Sequence, residues 1–124
     1  MRRLDQLSVL LCEDVEDLRY LFRLFLEVEG AVVHEASDGF EAIDAARTGC
    51  FDLALVDIGL PDISGLIVGP QIKESCRTRI AMSGYVDDAL RSQAQEAGFC
   101  AVLPKPVYMD DVVAVCELGK KGGP

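Results

Sequence analysis

Apolar runs of strand length alternate along this chain with segments whose apolar residues recur every three or four positions. The first run, Ser8-Val9-Leu10-Leu11-Cys12, stops at Glu13 and Asp14. A helix is predicted over 15–28, where Leu18, Leu21, Phe22 and Phe25 recur at helical spacing and Gly30 supplies the stop. Residues 31–36 read as a short second strand. Asp38-Gly39-Phe40-Glu41 has the form of a capping box, in which the two acidic side chains satisfy free amides at a helix start, and that helix is expected to run to Gly49. Further strands are predicted over 53–56, 80–82 and 101–103, and further helices over 86–97 (closed by Gly98) and 110–118. Such alternation is the mark of a parallel sheet with helices on both faces.

Two stretches fit the pattern less well. Ser64 suits a helix cap, but Gly69-Pro70 falls where the second turn belongs. Proline lacks the amide and clashes with the preceding turn, costing ~3 kcal/mol in a helix interior. Either this helix is kinked or its regular part starts near Pro70. The tail, 119–124, has no apolar period and is expected to fray, leaving a core of about 8–118 within one domain spanning 1–124. No internal repeat or linker interrupts the chain.

A length of 124 residues suits one domain with a real core, and a hydrophobic content of 50% argues for a globule. The net charge of −9 argues against a nucleic-acid surface and suits a divalent metal or a basic partner. The five cysteines, an odd count without a C-x-x-C pair, read as small buried hydrophobes in a reducing compartment. Asp5 and the Glu13-Asp14 stop leave the N-terminal apolar run too short and too charged for a signal peptide or membrane span. A cytoplasmic protein with no membrane contact is expected.

The predicted strands end in chemistry-bearing residues: Glu13 and Asp14, then Asp57, Ser83 and Lys105. Strand C-termini of an open parallel sheet share one edge, where ligands bind. Carboxylates gathered there repel by roughly 4 kcal/mol per pair at about 4 Å and an effective dielectric near 20, so the cluster takes up protons or a cation. Hard oxygen ligands without sulfur or imidazole select Mg²⁺. His34, the one histidine, lies away from these ends and reads as a structural or surface residue. Asp57 closes a wholly apolar run, and the glycines and proline after it shape a tight loop. So placed beside a metal, it can attack phosphorus and form an acyl phosphate. Lys105 can neutralise one phosphoryl oxygen and Ser83 can donate to another. Each residue alone reads as an ordinary turn or loop residue; their convergence on one edge carries the argument.

Four pieces in order give the chain a specific resemblance over about 8–118. They are Glu13-Asp14, the loop Asp57-Ile58-Gly59-Leu60-Pro61-Asp62-Ile63-Ser64-Gly65, Ser83-Gly84, and Lys105-Pro106. Together they resemble the receiver domain of two-component response regulators. The resemblance implies a flavodoxin-like, doubly wound (βα)5 α/β fold with a five-stranded parallel sheet in the order 2-1-3-4-5. It implies that Asp57 is the phosphoacceptor, that Ser83 and Lys105 sense the phosphoryl group, and that Glu13, Asp14, Asp57 and the Gly59 carbonyl hold Mg²⁺. It also implies a histidine kinase or phosphotransfer protein as donor and a protein effector downstream. The module would be stand-alone or part of a larger protein such as a hybrid kinase, catalysing only its own phosphorylation and dephosphorylation.

Two positions depart from that pattern. Val102 stands where receivers commonly carry an aromatic residue that moves with the hydroxyl, and Tyr108 where a short capping side chain often begins the last helix. An alternative is a Mg²⁺-dependent phosphotransferase or phosphatase of the haloacid dehalogenase type. That family needs an acid two residues beyond the nucleophile, where this chain has Gly59. A flavodoxin-like electron carrier needs a phosphate-cradling loop after the first strand, and Glu13-Asp14-Val15-Glu16 repels a flavin phosphate.

Overall fold

Strands and helices alternate through the whole structure, a computed structural model that describes residues 2–122. The strands are β1 (Ser8–Cys12), β2 (Val32–Ala36), β3 (Phe51–Asp57), β4 (Cys76–Ser83) and β5 (Ala101–Pro104). The helices are α1 (Glu16–Val28), α2 (Gly39–Thr48), α3 (Gly65–Gln71), α4 (Asp88–Glu96) and α5 (Met109–Gly122). The strands form one sheet in the order β2-β1-β3-β4-β5, and every pairing is parallel.

Side-chain alternation along the strands builds two cores, one on each face. Leu10, Cys12, Ala54, Val56 and Ala81 pack with Ala42 and Ala46 of α2, Val68 of α3 and Ala94 of α4. Val9, Leu11, Leu53, Leu55, Ile80 and Met82 pack with Leu26 of α1 and with Val112 and Val113 of α5. The second core reaches back to Leu4, which is 1% exposed, so packing begins earlier than the expected start near residue 8.

Several predicted boundaries are corrected. β4 begins four residues early because Cys76 and Thr78 pair with Phe51 and Leu53 of β3, which carries the strand beyond its apolar run. α3 starts at the Ser64 cap, whose hydroxyl accepts from Leu66 N at 3.1 Å, and not near Pro70. Pro70 is the penultimate residue of that helix, so its missing amide shortens the ladder at its end. Arg79 supplies a donor there, with Nη1 2.6 Å from the Gly69 carbonyl. The last helix continues through residues 119–122, where fraying was expected, even though Gly119 and Gly122 are poor helix formers. Residues 123–124 of that tail lie outside the described residues. Cys12 and Cys76 are buried, but Cys50 and Cys100 sit in the turns before β3 and β5 and are exposed. His34 is exposed on β2, its ring 5.8 Å from that of Phe51.

The α2 cap involves more of the chain than the sequence indicates. Asp38 Oδ1 accepts from Glu41 N at 2.8 Å, while Glu41 reaches back to the amide and hydroxyl of Ser37 instead of Asp38. Asp62 accepts from the amides of Gly39 and Phe40, both at 2.9 Å, and thereby ties the β3–α3 loop to α2. Burial opposes its charge, yet those amides hold the Asp62 carboxyl below its usual range. A depressed carboxyl contributes stability above its unfolded pKa and loses it as pH falls through the folded one. Asp62→Ala is therefore expected to lower Tm at neutral pH, with the gap from wild type closing in acid melts.

Candidate functional site

β1 and β3 are neighbours with Cys12 beside Val56, so the residues that follow, Glu13 and Asp57, emerge side by side. On the other side of β3, Ser83 at the end of β4 pairs with Pro104, and Lys105 N donates to the Ser83 carbonyl at 2.8 Å. The sheet thus brings all five predicted residues to one edge. Glu13, Asp14 and Asp57 each offer a carboxylate oxygen, and these atoms lie within 4.8 Å of one another. Glu13 and Asp57 are 4% and 6% exposed, while Asp14 faces the open side of the cluster.

Lys105 bridges the buried pair. Its Nζ donates to Glu13 Oε1 at 2.7 Å and to Asp57 Oδ2 at 2.8 Å. Burial works against the ammonium, but these two bonds outweigh it and hold the Lys105 pKa above that of an ordinary lysine. Burial raises the Glu13 pKa, Lys105 opposes the rise, and the neighbouring Asp57 charge adds to it. One ammonium therefore does not neutralise the cluster. An excess of hard, desolvated oxygen donors fits a small divalent cation, which restores the balance.

The loop after β3 sets the other oxygen of the Asp57 carboxylate. Gly59 N donates to Asp57 Oδ1 at 3.1 Å. Gly65 N bonds the Ile58 carbonyl at 3.0 Å, and a Cβ at Gly65 would collide with the Asp57 carbonyl. The glycine therefore permits the loop to fold back tightly under the carboxylate. Ser83 lies on the same edge, but its hydroxyl is engaged locally: Oγ donates to the Tyr85 carbonyl at 2.8 Å and accepts from Tyr85 N at 3.3 Å.

Val102 is 8% exposed and packs in the α2–α3–α4 core. Beside it runs an open groove of about 380 Å³ lined by Arg91, Gln95, Phe99, Cys100 and Ala101. Arg19 was missed from the sequence. Its Nη1 donates to the Glu13 carbonyl at 2.8 Å and its Nε to Glu35 at 3.2 Å, which fixes the backbone of the acidic turn. Its position on α1, among other charged residues, gave no signal of that role.

The model of the family described as the response regulator receiver domain matches residues 9–117. The chain belongs to this family. Among its curated relatives is the transcriptional regulatory protein ResD of Bacillus subtilis, 33% identical over 114 residues that cover 91% of this chain and 48% of that protein. The chain spans about half the length of the curated relatives it matches. A receiver domain protein from Methanospirillum hungatei superposes with a TM-score of 0.85 at 24% identity, covering 96% of this chain and 100% of that one. A response regulator from Burkholderia pseudomallei, solved with a phosphorylated aspartic acid, calcium ion and citrate, also gives 0.85 at 24% identity, covering 94% of this chain and 69% of the other. The receiver domain is a signalling module, and its sheet order is the one the resemblance implied. The acidic cluster agrees with the divalent metal that receiver domains bind. Among the described residues, no helix is long and apolar enough to cross a membrane.

Proposed function

We propose that Asp57 is the phosphoacceptor of this receiver, with Glu13, Asp14 and the Gly59 carbonyl completing a Mg²⁺ site around it. The observation that carries the reading is Lys105 held between Glu13 and Asp57 at the edge where Ser83 also lies. An oxygen of the Asp57 carboxylate bonds to phosphorus as the P–N bond of a donor phosphohistidine breaks, and the electron pair stays on the imidazole nitrogen. The Asp57 carboxylate is already oriented by Gly59 N and Lys105 Nζ. Lys105 then pairs with a phosphoryl oxygen in place of Asp57 Oδ2, and Ser83 exchanges its bond to Tyr85 for one to another. Mg²⁺, when bound, offsets negative charge on the phosphoryl oxygens. Water later removes the group in the domain's own dephosphorylation.

A histidine kinase or phosphotransfer protein serves as donor and a protein as effector, in the cytoplasm, with residues 1–124 acting as one receiver unit. The excess of acidic residues supports protein docking over contact with nucleic acid by this domain. Gly59 in place of a second acid disfavours the haloacid dehalogenase alternative.

Acetyl phosphate with Mg²⁺ should give the wild type a single hydroxylamine-labile phosphate, absent from Asp57→Asn. Equal labelling of the variant would sink the assignment. Val102 sets a second expectation. Valine has no polar tip and little volume to swing, so a beryllofluoride mimic should shift the amides of Ser83, Gly84 and Tyr85 most. A ligand moves an equilibrium only as far as its contacts differ between states. Shifts of equal size running through Ala89 to Ala97 and Asp111 to Leu118 would contradict this.

A further inference from the structure

Residues 2–7 precede the stretch matched by the family and form a turn against α1, β2 and α5. Leu4 lies in one core cluster with Val112 and Val113 of α5. Leu4 N donates to the Glu29 carbonyl at 2.8 Å and Gln6 N to the Gly30 carbonyl at 2.9 Å. Gly30 has a φ of 94°, and a Cβ there would stand 2.8 Å from the Asp5 Cα, so the exit of α1 is shaped to receive this turn.

Arg3 closes the arrangement. Its Nη2 and Nε donate to the two carboxylate oxygens of Glu29 at 2.7 and 3.2 Å, and its Nη1 donates to Asp110 Oδ1 at 2.7 Å. The planar, five-donor guanidinium can serve both acids at once, which an ammonium cannot do with the same geometry. Asp110 lies in the first turn of α5, five residues after Lys105. Asp110 and Asp111 support that turn through the helix dipole, but its other local support is weak. Tyr108 before it offers no short side-chain oxygen, and its amides of Asp111 and Val112 both bond the Tyr108 carbonyl, at 3.0 and 3.3 Å. Val112, Val113 and Val115 are β-branched and weak helix formers. The 105–110 segment thus has two fixed ends, Lys105 N on the Ser83 carbonyl and Asp110 on Arg3.

We propose that Arg3 is a positioning residue: by joining Glu29 to Asp110 it anchors the start of α5 and holds the 105–110 segment that delivers Lys105 to the site. Lys105 fixed in this way keeps its ammonium on Asp57 and Glu13, ready to meet a phosphoryl oxygen. The anchor rests on geometry alone, and only its effect on labelling rests on the reading of Asp57 as phosphoacceptor.

A double-mutant cycle in hydrogen exchange tests the anchor. Asp110→Asn should speed exchange of the Asp111 and Val112 amides about fivefold, the scale of an exposed ion pair. In an Arg3→Ala background the same change should have a clearly smaller effect, the helix-dipole share alone, and Asp110→Glu should restore wild-type protection. The cycle also removes the helix-dipole contribution of Asp110, which is independent of Arg3. Should Arg3→Ala fail to fold, Arg3→Lys keeps a charge beside Glu29 and takes its place. Acetyl phosphate should label Arg3→Ala severalfold more slowly than wild type, while Arg2→Ala, whose partner Asp5 is 3.4 Å away on the surface, should match wild type. Additive exchange effects would overturn the anchor, and unchanged labelling would overturn the positioning of Lys105. A wild type that takes no label at Asp57 would instead contradict the phosphoacceptor reading, and the exchange cycle would still decide the anchor.

Discussion

Adding Mg²⁺ is expected to raise the melting temperature of the wild-type domain and to leave Asp14→Ala unmoved. Three carboxylates converge in the folded state and are scattered in the unfolded chain, so a divalent cation is expected to favour the folded state. Such binding stabilises by about 2.7 kcal/mol when the free ion is about a hundredfold above Kd, or roughly 10 °C for a domain of this size. Asp14 is the informative position because it faces the open side of the cluster and takes no part in the Lys105 bridge. Its removal would take away a proposed ligand without stranding a buried charge. A Mg²⁺ shift in Asp14→Ala equal to that of wild type would place the metal elsewhere.

Asp57→Asn should make the metal-free domain more stable. Asp57 and Glu13 are both buried and share a single ammonium. Like charges at about 4 Å repel by roughly 4 kcal/mol at an effective dielectric near 20, and Lys105 offsets only part of this. Removing one member of a buried pair often destabilises by leaving the other unpaired. Here Lys105 keeps Glu13 at 2.7 Å, so no charge is orphaned and relief of repulsion wins. A net gain of about 1–2 kcal/mol, or roughly 5–10 °C in Tm, is expected.

The pH dependence of that gain follows from Glu13. Its folded pKa is raised, so its contribution to stability is fully present below the unfolded value and is lost as pH rises through the folded one. The wild type should therefore lose stability relative to Asp57→Asn as pH rises through and above the ordinary carboxylate range. Paired melts across pH check this. A variant less stable than wild type at neutral pH without metal would show that the Lys105–Asp57 bond outweighs the repulsion.

Much of this site was legible because its members are local signals placed by a global rule. Glu13, Asp57, Ser83 and Lys105 each end or follow an apolar run, and a parallel sheet brings such ends together whatever lies between them. The hidden parts depend on side-chain reach across the fold. Arg19 grips the Glu13 carbonyl from a helix face that reads as solvated, and Asp62 caps a helix that begins more than twenty residues earlier. Arg3 finds its partners at Glu29 and Asp110, on two separate helix ends. The Pro70 helix was ambiguous for a similar reason, since the Arg79 donor at its end comes from a strand and not from the local sequence.

The most direct test of Asp57 as phosphoacceptor is reductive mapping. The wild-type domain is labelled with acetyl phosphate and Mg²⁺, treated with borohydride, which converts an aspartyl phosphate to homoserine, and sequenced by peptide mass spectrometry. Homoserine at position 57, with Asp14 and Asp62 intact, is the predicted result. Homoserine at another acidic residue, with Asp57 unchanged, would contradict the assignment.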